Sequence, residues 1–131
     1  MNPEDILREM RVIVAESLVL KPAAVTAEKR LMPDLGADSL DFVDILFAIE
    51  QRFEIDLRGG DFEFLSRLDF SSPGVMKNGA LTEETLTRLQ EWLPAVRQAA
   101  RPVTPSQLFS WITIETLCRV VERKLAATAK S

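Results

Sequence analysis

The sequence predicts an all-α fold of four or more helices in a single domain, and three observations carry that reading. The chain has 131 residues, the usual size of one domain. Hydrophobic residues make up 47% and charged residues 27%, the balance of a soluble globular protein with a real core. Over long stretches the apolar residues recur at three- and four-residue spacing, the period of a helix with one buried face.

The first helix opens at Asn2, a good N-cap. Pro3 suits the first helical position, and Glu4 and Asp5 favour the positive end of the helix dipole. Ile6, Leu7, Met10, Ile13, Val14 and Leu18 form its stripe, and Pro22 marks its end. The connection from Lys21 to Asp38 is long, yet Val25, Leu31, Met32 and Leu35 predict that it packs rather than waves. A second helix runs from near Ser39 to about Phe53, with Asp38 and Ser39 both where an N-cap belongs. From Arg58 to Asn78 the breakers Gly59-Gly60, Ser71-Ser72-Pro73-Gly74 and Asn78-Gly79 alternate with Phe62, Phe64, Leu65, Leu68 and Phe70. That pattern predicts a loop or short turn anchored by aromatics. A third long helix is expected over 82–99, capped by Thr82, with Leu86, Leu89, Trp92, Leu93 and Val96 inward. Pro94 predicts a kink or early stop in it. Ser106 to Trp111 reads as a short helical turn. The last helix is expected from about Thr113 to Ala126, with Ile114, Leu117, Cys118, Val121 and Leu125 inward and the final residues frayed. There is no internal repeat.

Composition excludes several function classes. The chain has no histidine, which removes Ser-His, Cys-His and His-based metal chemistry from within it. Its one cysteine, Cys118, makes no internal disulfide and no cysteine-cluster zinc site, so no metal is expected. The net charge of −4 disfavours nucleic acid. No apolar run reaches the roughly 20 residues of a membrane span, and Met1 to Asp5 lacks the basic stretch of a secretory leader. A cytoplasmic protein is expected. The charge is uneven: twelve acidic and six basic residues up to Leu57, eight and ten thereafter. Asp34, Asp38, Asp41, Asp44, Glu50, Glu54 and Asp56 face Arg52 alone. Such a segment is a solvated face or a docking surface for a basic partner.

The stretch Asp34-Leu35-Gly36-Ala37-Asp38-Ser39-Leu40-Asp41-Phe42-Val43-Asp44 carries the chemistry. Gly36 permits a tight turn, and Ser39 then emerges at the start of a helix, where free N–H groups suit a phosphate ester. No lysine lies between Leu31 and Arg58, so Ser39 has no adjacent base and is no self-activating nucleophile. A hydrolase elbow needs glycine two residues after the serine, where Asp41 stands. Ser39 reads as a site modified by another enzyme, or as a helix cap only.

With Leu35-Gly36 before it and the run from Asp41 to the Phe53-Glu54-Ile55 exit after it, Asp38-Ser39-Leu40 resembles the phosphopantetheine attachment site of acyl carrier proteins. The resemblance covers Met1 to Leu57 and resumes from about Phe109 to Leu125. The residues from Arg58 to Leu108 depart from the pattern, in which a short third helix follows almost at once. The resemblance implies an acyl-carrier-like four-helix bundle, 1–57 and 109–126, with an extra helical insertion at 58–108. It implies 4′-phosphopantetheine attached to Ser39 by a phosphopantetheinyl transferase, holding acyl groups as thioesters, in a monomer that is not itself an enzyme. Asp38 would help hold the transferase's magnesium. Asp38, Leu40, Asp41, Val43, Asp44, Phe47 and Glu50 match positions that meet basic partner surfaces, such as those of ketosynthase- or acyltransferase-type enzymes. Phe42, Leu46, Ile49 and Phe53 would line an acyl cleft, and read alone they are core. The departure at 58–108 points to a specialised lipid or polyketide-type pathway, and to either a wall for the cleft or a private docking surface. An aminoacyl or peptidyl carrier and an unmodified helical interaction module are the alternatives.

Overall fold

The structure is a computed structural model that describes residues 2–57, 74, 76–90, 93 and 95–129, with the backbone alone described at Ser39 and 127–129. The first helix, α1, spans Pro3–Leu18. The Asn2 side chain accepts the Asp5 N–H at 2.8 Å, the expected cap. Ile6, Met10, Ile13 and Val14 are buried along it. It ends on Val19 in the left-handed region, φ 56°, 90% exposed. A 3-10 turn, Pro22–Ala24, follows.

The connection to the next helix packs, as its apolar residues predict: Val25 and Leu31 are fully buried. Its backbone is also tied to a distant segment. The Leu31 N–H donates to the Ile112 carbonyl at 2.8 Å, Ile114 N–H to Lys29 at 3.0 Å and Glu115 N–H to Ala27 at 2.9 Å. Arg30 and Thr113 form an isolated antiparallel bridge there. The second helix, α2, spans Ser39–Phe53, the expected range. It buries Phe42, Ile45, Leu46, Ile49 and Phe53 and packs against α1, as does the last helix, Ile114–Ala129.

Beyond Leu57 the structure adds and corrects. The expected anchors Phe62, Phe64, Leu65, Leu68 and Phe70, and also Trp92 and Pro94, lie outside the described residues. A hairpin not foreseen in an all-helical reading pairs β1, Met76–Lys77, with β2, Ala80–Leu81. Asn78 and Gly79 both have positive φ, 55° and 80°, as a two-residue hairpin turn of the primed type requires. The helical class stands, with this small sheet appended. The single helix expected over 82–99 is two: α3, Glu83–Leu89, and α4, Ala95–Gln98. A proline ring collides with the carbonyl four residues earlier. For Pro94 that residue is Gln90, where α3 ends. Arg101 holds the pieces together, donating to Glu83 at 2.8 Å and to the Val96 carbonyl at 3.0 Å.

The short turn expected at Ser106–Trp111 is α5, Pro105–Ser110, with a Thr104–Gln107 capping box. The last helix, α6, spans Ile114–Ala129 and so extends past the expected end at Ala126. Leu86, Leu89, Leu93, Val96 and Val103 belong to the same buried cluster as Met10, Phe42, Ile49 and Val121. Among the described residues no buried side-chain polar atom lacks a partner, and no helix is long and apolar enough to cross a membrane.

Candidate functional site: the start of the second helix

The turn that delivers Ser39 is built from local hydrogen bonds. The Asp34 carboxylate accepts the Arg30 N–H at 2.8 Å and the Arg30 guanidinium at 3.2 and 3.3 Å. The backbone N–H first, and the side chain second, hold the Asp34 carboxyl below the usual carboxylate range. Asp34 is therefore a fastener of the turn, its charge met by Arg30. Gly36 follows with φ 78°, and its N–H donates to the Met32 carbonyl at 3.0 Å. No atom lies within 4 Å of where its Cβ would sit. Glycine is needed here for the backbone angle alone.

Asp38 caps α2, and Asp41 answers it. Asp38 Oδ1 accepts the Asp41 N–H at 2.8 Å, and Asp41 Oδ2 accepts the Asp38 N–H at 3.0 Å. Each carboxylate uses one oxygen in this exchange. Two negative charges at the positive end of the helix are also favoured by its dipole. The cap of the helix is Asp38, so of the two residues placed there by sequence, Ser39 becomes the first residue inside the helix. Its neighbours Asp38 and Leu40 are both exposed.

One face of α2 points away from the core. Leu40 is 73% exposed and Phe47 63%, and they lie two turns apart with Asp44, also exposed, between them. Val43 and Glu50 are half-buried on one flank and Asp41 on the other. Large apolar side chains are thus held in water beside carboxylates on this face. Among the described residues neither Asp38, Asp41 nor Asp44 makes an ion pair. Arg52, the only cation of the helix, pairs with Glu9 on α1. Glu50 has a second task, since its Oε2 accepts the Leu57 N–H at 3.1 Å and fixes the helix exit. There Phe47, Glu50, Gln51, Glu54, Ile55 and Asp56 line an open depression of about 630 Å³.

The cleft candidates are all in the core: Phe42 0%, Leu46 2%, Ile49 1% and Phe53 6% exposed. The structure adds a residue that the sequence reading assigned no role. Phe109, on α5, meets Phe42 edge to face with ring centroids 5.1 Å apart. The sequence signal available for it was a capped short helix, Thr104-x-x-Gln107, ending in the apolar pair Leu108-Phe109. Outside this pair, Met32, Pro33, Ser106, Phe109 and Ser110 line a depression of about 410 Å³.

The chemistry of these side chains is that of a presented surface. Cys118 is buried and its thiol is pushed up to about 12, by burial first and by Glu122 and Glu115 second, so it is no nucleophile. Among the described residues no cluster of carboxylates and cysteine gathers to hold a metal ion.

A family model described as "Phosphopantetheine attachment site" matches residues 8–69. The expected resumption from Phe109 lies outside that match. The chain is 38% identical over 61 residues to an acyl carrier protein of Campylobacter jejuni subsp. doylei, covering 47% of this chain and 79% of that protein. Acyl carrier proteins of Campylobacter concisus, 38% over 60 residues, and Campylobacter fetus, 40% over 57 residues, are similar over 46% and 44% of this chain and 78% and 74% of their own. No solved structure matches the chain.

Proposed function

This chain belongs to the acyl carrier protein family, and on that premise we propose that Ser39 is its attachment residue, that the outer face of α2 is its docking surface, and that its pathway is a specialised one. The family is one of carriers, not enzymes, and its cofactor is 4′-phosphopantetheine. When bound, that group supplies a terminal thiol that holds an acyl chain as a thioester.

The residues present fit such a group. Ser39 stands at the start of α2 between two exposed neighbours, Asp38 and Leu40, and this observation carries the proposal. Gly36 and the Asp34–Arg30 fastener fix the turn, so position 39 is presented in one orientation. The Asp38–Asp41 box closes the first turn of α2. The oxygen that Asp38 does not use there can share the transferase's magnesium. Leu40, Val43 and Phe47 offer apolar contact, and Asp38, Asp41, Asp44 and Glu50 offer charge to a basic partner surface. Charge of this kind raises the encounter rate and selects the partner more than it adds affinity. The carrier itself contributes proximity to the reaction of its cargo.

The whole chain forms one carrier domain in this reading, with 1–57 and 109–126 as its carrier-like core and 58–108 as an insertion. It works as a cytoplasmic monomer, served by a phosphopantetheinyl transferase and by acyl-loading, ketosynthase- or acyltransferase-type enzymes. The test is the intact mass after incubation with coenzyme A, magnesium and a broad-specificity transferase. The expected result is a gain of one phosphopantetheine, absent from Ser39→Ala. An unchanged mass beside a carrier that reacts would leave a helical interaction module in which Ser39 merely begins a helix.

A further inference from the structure

The boundary between α2 and α5 is occupied by two phenylalanines. Phe42, one turn past Ser39, is fully buried, and Phe109 is 8% exposed. Their rings meet at 76°, an arrangement aromatic pairs favour. Phe109 also lines the outer depression with Met32, Pro33, Ser106 and Ser110. It therefore stands between that depression and Phe42 in the core. The depression adjoins the turn that delivers Ser39, since the Met32 carbonyl accepts the Gly36 N–H. Its size of about 410 Å³ falls in the range of small-molecule pockets, about 300–1,000 Å³. Its lining is apolar with two serines, a match for a short chain that begins polar and ends in methylenes.

We propose that Phe109 is a stop that keeps the carried acyl group out of the core, so that this carrier shelters short acyl groups in the Met32–Ser110 depression and leaves longer ones in solvent. The inference rests on Ser39 bearing the arm. For a chain to pass deeper, the Phe109 ring must leave Phe42, and a close-packed interior has no slack to receive it. Phe42, expected to line an acyl cleft, is then the wall behind the stop.

The test loads the full chain from acetyl-, hexanoyl- and decanoyl-coenzyme A with the transferase, checks each product by mass, and measures Tm. Wild type is expected to melt higher with hexanoyl than with acetyl cargo, and no higher with decanoyl than with hexanoyl. In Phe109→Ala, where the core is open to the chain, the decanoyl form is expected to melt about 5 °C or more above the acetyl form. Phe109→Leu carries the same comparison if the alanine variant does not fold. A wild-type Tm that climbs from hexanoyl to decanoyl overturns the stop, as do variants insensitive to chain length, and a Tm that does not rise from acetyl to hexanoyl overturns the shelter. A chain that gains no mass overturns the carrier reading, and this inference with it.

Discussion

Truncating Phe47 to alanine separates what this side chain does for the fold from what it does for a partner. In the free protein it is 63% exposed, so only about a third of it is out of water. Full burial of such a side chain stabilises by about 1.5–3 kcal/mol, and a third of that is below about 1 kcal/mol. The expected loss in Tm is no more than about 5 °C. If Phe47 is instead an anchor that a partner buries, its removal costs about 2 kcal/mol or more in the complex, which is about thirtyfold in kcat/KM. The assay is transfer of phosphopantetheine to Ser39 at varied carrier concentration, followed by mass, with Val12→Ala on the α1 surface as the control. A Phe47→Ala chain that is modified with unchanged kcat/KM would refute the reasoning. So would a Tm that falls by much more than the exposed fraction permits.

Two further outcomes follow from the geometry. Gly36→Ala meets no steric obstacle but places a Cβ on a left-handed residue, so urea unfolding is expected to show a loss of about 1–2 kcal/mol; an unchanged midpoint would show that the turn relaxes freely. Cys118 is protonated in the fold up to about 12 against an ordinary 9.0. Its folded pKa is raised, so the stability it lends is complete below about 9 and declines as pH rises toward 12. Native protein at pH 8 is expected to react with a thiol reagent only as fast as it unfolds, and rapid labelling would contradict the burial.

The parts of the fold that were legible in the sequence are those decided locally. Asn2, Pro3 and Asp38 mark their helix starts because a cap is a hydrogen bond between near neighbours, and α1 and α2 begin where those residues predict. The hairpin was only half legible. Asn78-Gly79 is a turn signal by itself, but strands of two residues are too short to show alternation. The division between α3 and α4 was signalled by Pro94, though the spacing of Leu89, Leu93 and Val96 continues as if one helix did. The attachment motif was legible because its residues are contiguous. Phe109 was not, because its meaning comes from Phe42, which no local pattern places against it. The double role of Glu50 was likewise hidden, since its bond to the Leu57 N–H depends on how the chain turns after α2.

The ties between Ala27–Leu31 and Ile112–Glu115 also bear on how such a chain tolerates change in length. They cinch the polypeptide into a bight whose neck holds the turn that leads into α2. Once a bight is closed, lengthening it is thermodynamically gentle: each doubling adds only about 0.6 kcal/mol of closure entropy. The closure entropy of the neck therefore sets little limit on length in the middle of the chain; what limits it is the packing of Leu86, Leu89, Leu93 and Val96 into the common core.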